Sequence, residues 1–304
     1  MYCNEKNKEE NWQSYWKFSI TKKHITMRDK LKSKKHFDKK IKFYLNSIDK
    51  YTKKLEEGKV KEDRIKSVEY SIVFFYYIKV LMAMYSRGDS LSSIKELYVK
   101  RALPWMVKVW DDKRVKFHGN KRRVYYDFYF YDDFIYMLWM ISFGILLEVP
   151  LDNIKSLAKL LDRGNIKNII YDTLLAYRLK DRPISPEVGT FKPYIRLKAV
   201  LEEEDKKKAS RLLKQYLQKY WYRNHKNAFF YDTHKVRNGE LYDGYWSFES
   251  AAIVKVLGLD DSSFRENQYY PKDLVDYDPE KEKEYLAQQQ NIKSSWLKRL
   301  FGKG

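Results

Sequence analysis

Fourteen consecutive residues, Phe134 to Leu147, carry no charge and are almost wholly apolar, between Asp132-Asp133 on one side and Glu148 on the other. A segment that is apolar all round has to be surrounded, so the rest of the chain must wrap other elements about it. Crossing a bilayer takes about 20 such residues as helix, which makes this run a buried core helix rather than a membrane span. Surrounding it with sheet would need many tight turns. The 304 residues hold only 11 Gly and 7 Pro, too few for a sandwich or barrel, while 44% apolar and 17% aromatic residues suffice for a large core. The prediction is an all-α fold, a multi-helix bundle in two closely packed helical subdomains.

Periodicity places the other helices. Phe37, Ile41, Tyr44, Ile48, Tyr51 and Leu55 recur at intervals of 4, 3, 4, 3 and 4, one stripe of a helix expected over 26–57 and ended by Gly58. A second helix over 63–85 is apolar nearly all round through SIVFFYYIKVLMAMY, and Gly88 stops it. Asp89 or Ser90 can cap the next, in which Pro104 is expected to force a kink or break. Lys113 to Arg123 reads as a basic loop without a recognisable nucleic-acid motif. A helix from Tyr125 is closed by Glu148 and Pro150. Three shorter ones are expected over 152–162, 166–180 and 205–222, with a proline-stiffened elbow at DRPISPEVGTFKP. The breaks suggest an N-terminal extension 1–25, a helical domain 26–148, a second helical domain 149–278 and a basic tail 279–304. In that tail Trp296, Leu297, Leu300 and Phe301 could form a short amphipathic helix.

Charge narrows the function classes. The chain has 61 basic and 41 acidic side chains, +20 net, and residues 1–66 alone hold twenty bases against ten acids. Such a segment reads either as a solvated lysine face over an ordinary packing stripe or as a nucleic-acid footprint; salt-sensitive duplex binding would mark the second. The single cysteine, Cys3, excludes an internal disulfide and suggests a reducing compartment. The first twenty residues have no apolar core of a secretory signal, so a cytoplasmic location is expected. Of the five histidines, only His225 and His234 lie near each other and an acid, Asp232, and their spacing fits no zinc or di-iron pattern. No Walker loop, G-x-S-x-G elbow or G-x-G-x-x-G run occurs. No metal, cofactor or catalytic residue is expected. The carboxylate groups Asp111/Asp112, Asp132/Asp133, Glu202 to Asp205 and Asp260/Asp261 read as caps or solvated charges.

Residues 229–278 stand apart, with ten acids against five bases, a local −5 in a basic protein. Tyr231, Tyr242, Tyr245, Trp246, Phe248, Phe264, Tyr269 and Tyr270 are interleaved with them. Aromatics and carboxylates together suit the anchoring of a basic protein partner, although the same residues also suit a core with capped turns. Glu249, inside the apolar Trp246 to Ala252, is either a catalytic acid or the tie of a loop or helix end; without a second catalytic group the structural role is preferred.

The run Tyr242-Asp243-Gly244-Tyr245-Trp246-Ser247-Phe248-Glu249-Ser250-Ala251-Ala252-Ile253-Val254-Lys255, followed by Leu257-Gly258-Leu259-Asp260-Asp261-Ser262-Ser263-Phe264 and by Tyr269-Tyr270-Pro271-Lys272-Asp273-Leu274, resembles the C-terminal domain of PoNe immunity proteins (PoNi). The helices over 26–145 are similar in layout to the helical domain that accompanies it. The resemblance implies an all-helical cytoplasmic antitoxin that binds and neutralises a PoNe-type DNase toxin of bacterial competition, as a stoichiometric inhibitor and not an enzyme.

Under that reading Glu240, Tyr242, Asp243, Asp260, Asp261 and Glu266 are the expected toxin contacts. Reversing charge at Asp243, Asp260 and Asp261 is expected to spare the fold. Gly244, Tyr245, Trp246, Phe248, Glu249, Tyr269, Tyr270 and Pro271 are expected to be scaffold, with Asp260 capping a helix from about 261–263. No nucleic-acid or membrane partner is expected, and monomer and dimer both stay open. DNase inhibitors are often acidic, yet this chain is basic; either the local acids make the contact or the partner presents an acidic surface away from its active site. Two alternatives remain, a basic nucleic-acid-binding helical protein, and an enzyme using Glu249 and His234.

Overall fold

Ser33 starts the first helix by accepting the His36 backbone N–H on its hydroxyl. Helix α1 (Lys34–Glu56) therefore begins later than the expected start near residue 26. The Asp29 carboxylate accepts the N–H groups of Leu31 and Lys32 and closes a turn there instead. The computed structural model describes residues 26–110, 115–117, 123–125, 131–189, 192–284 and 287. The expectations for Cys3, Asp111, Asp112 and the helix near 296–301 lie outside them.

Phe37, Ile41, Tyr44 and Ile48 of α1 are buried against a long helical run. That run comprises a 3₁₀ turn Glu62–Arg64, α2 (Ile65–Val68), a π turn Glu69–Phe74 and α3 (Phe75–Arg87). Gly88 caps it in the left-handed conformation at φ 93°. Ser90 caps α4 (Leu91–Leu97), while Asp89 pairs with Arg87. Pro104 does not break the path. It sits in the first turn of α5 (Leu103–Val109), directly after a π turn Tyr98–Ala102, whose wider winding lets the helix run on through a residue without an N–H. Across the stretch read as a loop and the expected start of the next helix, β1 (Val115–Phe117) and β2 (Arg123–Tyr125) pair antiparallel, Val115 opposite Tyr125. The following helix therefore starts at Tyr131, not Tyr125.

The uncharged run is α6 (Tyr131–Leu146), and every residue from Phe134 to Leu147 is buried. It packs on α7 (Leu151–Arg163), α8 (Ile169–Ala176) and α12 (Phe248–Leu257), with Phe143 and Phe248 ring centroids 4.4 Å apart. The elbow holds an unforeseen helix, α9 (Lys192–Leu201), which buries Tyr194, Leu197 and Val200 and pairs with α10 (Lys206–Gln215). A π turn Tyr216–Trp221 and α11 (Tyr222–Asn224) continue α10. Beyond α12 comes a short α13 (Lys272–Val275); residues 262–266 form turns, so Asp260 closes a turn through the Ser262 N–H and caps no helix. The architecture is all-α, with one hydrophobic core running from Phe37 to Tyr277.

Candidate functional site

Residues 242–247 have no regular structure and are buried. A buried irregular segment must find partners for its backbone among side chains, because no ladder supplies them. His36 donates through Nε2 to the Tyr242 carbonyl at 2.8 Å, Ser86 Oγ donates to the Asp243 carbonyl at 2.8 Å, and the Ser247 N–H reaches the Tyr269 carbonyl. Gly244 lies at φ 122°, and a Cβ there would collide with Ser86 Oγ and the Trp246 ring.

Two carboxylates anchor this segment. Asp243, with its side chain 1% exposed, accepts Lys79 Nζ at 2.9 Å, Lys40 Nζ at 3.3 Å and the Tyr44 hydroxyl at 3.0 Å. Burial pulls the Lys40 ammonium below its ordinary pKa, opposed by Asp243, and pushes the Tyr44 hydroxyl up. Nearby, the Tyr242 hydroxyl donates to Asp29, and Trp246 Nε1 donates to Ser86 Oγ at 2.8 Å.

Glu249, fully buried at the start of α12, accepts Ser247 Oγ (2.7 Å), Trp221 Nε1 (2.7 Å), the Tyr216 hydroxyl (3.2 Å) and Trp139 Nε1 (3.2 Å). On an α-helix Tyr216 and Trp221 would point about 140° apart. The π turn that contains both brings residues five apart nearly into line, so both reach the same carboxylate. Burial holds this carboxyl above the usual range, against the pull of the Ser247, Trp221 and Trp139 donors.

A cleft of about 510 Å³ opens between residues 26–31 and the 265–273 loop, floored by Tyr222, Tyr242 and Tyr245. His234 lines it and is held through Nδ1 by the Tyr245 hydroxyl at 2.6 Å. It shares no hydrogen-bond partner with Glu249, so the two residues considered for catalysis do not form one site. Among the described residues no three His, Cys, Asp or Glu side chains group as metal ligands. Nor is any helix there long and apolar enough to cross a membrane.

The six expected contact residues separate. Asp243 and Tyr242 are interior, because Lys79, Lys40, Tyr44 and Asp29 draw them inward; this corrects their reading as surface contacts and the expectation that Asp243 can be reversed without harm to the fold. Asp261 is half-buried, bound to Arg265 and the Tyr270 hydroxyl. Glu266 is exposed and paired with Lys272 at the cleft. Asp260 is exposed beside Ser210 of α10, whereas Glu240 is exposed beside Lys40 of α1. Gly244, Tyr245, Trp246, Phe248, Glu249, Tyr270 and Pro271 are buried and Tyr269 half-buried.

Among the described residues, nine of the ten acids of 229–278 accept a hydrogen bond or ion pair from the chain itself, Asp232 from Lys235, Asp273 from Arg28 and Asp276 from Arg265 included. Glu240 is the tenth. The sequence reading missed Lys79, Ser86 and Trp139, whose only visible signal is a polar or indole group inside an apolar helical run.

The distinctive motif thus clamps the interior of a mainly helical chain, and the family follows from comparison with known proteins. Residues 28–159 match the N-terminal and residues 166–274 the C-terminal model of the PoNe immunity proteins (PoNi), and the chain belongs to that family. Its fold is also similar to the crystal structure of protein PA2201 from Pseudomonas aeruginosa, with TM-score 0.61 and 17% identity over 84% of this chain and 91% of that one. Comparison with curated proteins finds no match.

Proposed function

We propose that this chain is a non-catalytic inhibitor that neutralises a PoNe-type DNase toxin by occupying it, one inhibitor to one toxin, in the cytoplasm of the cell it protects. The observation that carries the reading is the pair of family matches through both halves of the chain. The Glu249 cluster supports the non-catalytic part. An acid that serves a reaction must reach substrate, and this one is sealed in the core with its oxygens taken by four donors of the chain itself.

The test is a titration of a PoNe-type nuclease with the purified protein, reading DNA degradation. Protection should saturate near equal amounts. Full protection at a small fraction of the nuclease concentration would overturn stoichiometric inhibition. The same series without nuclease should leave duplex mobility unchanged at moderate salt; a salt-sensitive shift would favour the nucleic-acid reading instead.

A further inference from the structure

We propose that the toxin docks on the face formed by α1 and the Val236–Leu241 turn, and that the surface it brings there is acidic with an apolar centre. This rests on the proposed function and deepens it by naming the surface and the chemistry of the partner.

Eight large apolar side chains are exposed among the described residues, and half of them sit here: Leu31 and Phe43 at 55%, Val236 at 42% and Leu241 at 41%. The two segments that carry them are stitched together. Lys32 Nζ donates to the Asn238 carbonyl at 2.9 Å, Lys40 Nζ to the Glu240 carbonyl at 2.7 Å, and His36 to the Tyr242 carbonyl. Phe43 lies one helical turn beyond Lys40, on the side of α1 that is bonded to the turn, and Leu31 precedes Lys32, so the bonds bring the two segments that carry these four side chains together. Apolar residues scattered singly need no explanation, but a cluster held in place by cross-segment bonds marks an interaction site.

The turn is also costly to keep. Arg237 (φ 46°, ψ 51°), Asn238 (φ 56°, ψ 25°) and Gly239 (φ 82°) are left-handed in succession, a conformation that only glycine adopts freely. The strained run keeps Val236 and Leu241 facing solvent, which does nothing for the core.

Charge decides what covers this face. Lys39 and Lys50 share the stripe of Phe43, four residues before and seven after it, and with Arg237 they are exposed and without a carboxylate partner among the described residues. Glu240 is the turn's only acid. The neighbouring acidic segment does not compensate, since its other carboxylates are taken up within the chain. A positive rim around an apolar centre is complementary to an acidic protein surface, and a phosphate backbone would leave the apolar centre unmatched. The inhibitor then binds the toxin away from the basic groove that attracts DNA.

The test uses calorimetry of the full chain against the catalytically inactivated PoNe-type nuclease domain that it protects against in cells. Phe43→Asp with Leu241→Asp should weaken binding by about 100-fold or more, as loss of central apolar anchors does. Lys39→Glu with Arg237→Glu should weaken it about 10-fold and flatten its salt dependence. Leu151→Asp with Ile184→Asp, exposed elsewhere, should bind like the parent. If the parent binds and both face variants bind equally well, this surface is wrong and the proposed function stands. A parent that does not bind overturns both. Should the Phe43/Leu241 pair unfold, the Lys39/Arg237 pair decides alone. Loss of duplex DNA affinity in that charge pair, with nuclease affinity unchanged, would assign the face to nucleic acid and overturn the proposal.

Discussion

Replacing Asp243 with alanine should destabilise the protein by about 4 kcal/mol, because breaking a buried ion pair leaves an uncompensated charge that typically costs 3–5 kcal/mol. Three donors lose their acceptor: Lys79 at 2.9 Å, Lys40 at 3.3 Å and the Tyr44 hydroxyl at 3.0 Å. They are not equally orphaned. Lys40 retains the Glu240 carbonyl at 2.7 Å, whereas Lys79, with its side chain 11% exposed, has only the Phe75, Phe229 and Tyr44 ring faces left. Most of the cost should therefore reside on Lys79. At roughly 1.5 °C per kcal/mol for a chain of 304 residues, the melting temperature should fall by about 6 °C. Lys79→Met alone should also destabilise, by leaving the buried carboxylate only Lys40 and the Tyr44 hydroxyl. The double variant should be more stable than the sum of the singles by about 2 kcal/mol, since the Lys79 ammonium that Asp243→Ala would orphan is then gone. Urea unfolding followed by circular dichroism measures all three. A loss below about 1 kcal/mol for Asp243→Ala, or strict additivity, would refute the buried pair.

Other outcomes test the remaining features. Glu249→Gln replaces an acceptor that takes four donors by an amide with its own N–H groups, and should cost about 2–3 kcal/mol in urea unfolding; no loss would mean the indoles do not converge there. His225 donates through Nδ1 to the Trp221 carbonyl and takes the Tyr194 hydroxyl on Nε2, and burial lowers its pKa from 6.5 to about 4. The native state thus holds fewer protons than the unfolded chain between those values. Stability from this ring is complete above pH 6.5 and is lost as pH falls to 4, by about 3 kcal/mol at 1.36 per unit. Parent and His225→Gln should diverge in the slope of unfolding free energy over that window, and parallel slopes would contradict it. Gly244→Ala should melt markedly lower than Gly258→Ala. Both glycines have positive φ, but only at 244 does the new Cβ strike Ser86 and Trp246, the nearest atom at 258 being Lys206 Nζ at 3.4 Å.

Legibility in this sequence follows distance along the chain. Phe37, Ile41, Tyr44 and Ile48, and the run Phe134 to Leu147, announce their burial because the cue is the spacing of near neighbours. α9 escapes for a local reason. Pro193 occupies its first turn, where proline starts helices, and reads as part of the elbow when taken with Pro183 and Pro186. Asp243 escapes for a different one: its partners Tyr44 and Lys79 are 199 and 164 residues away, and no periodicity reports so remote a charge. That remoteness also says what the motif does. Asp243 and Glu249 join α1, α3, α6 and the 216–221 turn to one short segment, so their lone pairs are used in setting how those elements meet. A side chain committed in this way has nothing left with which to contact a partner. On the proposed docking face, discrimination between partners would fall to side chains that are mostly exposed, Leu31, Phe43, Val236 and Leu241.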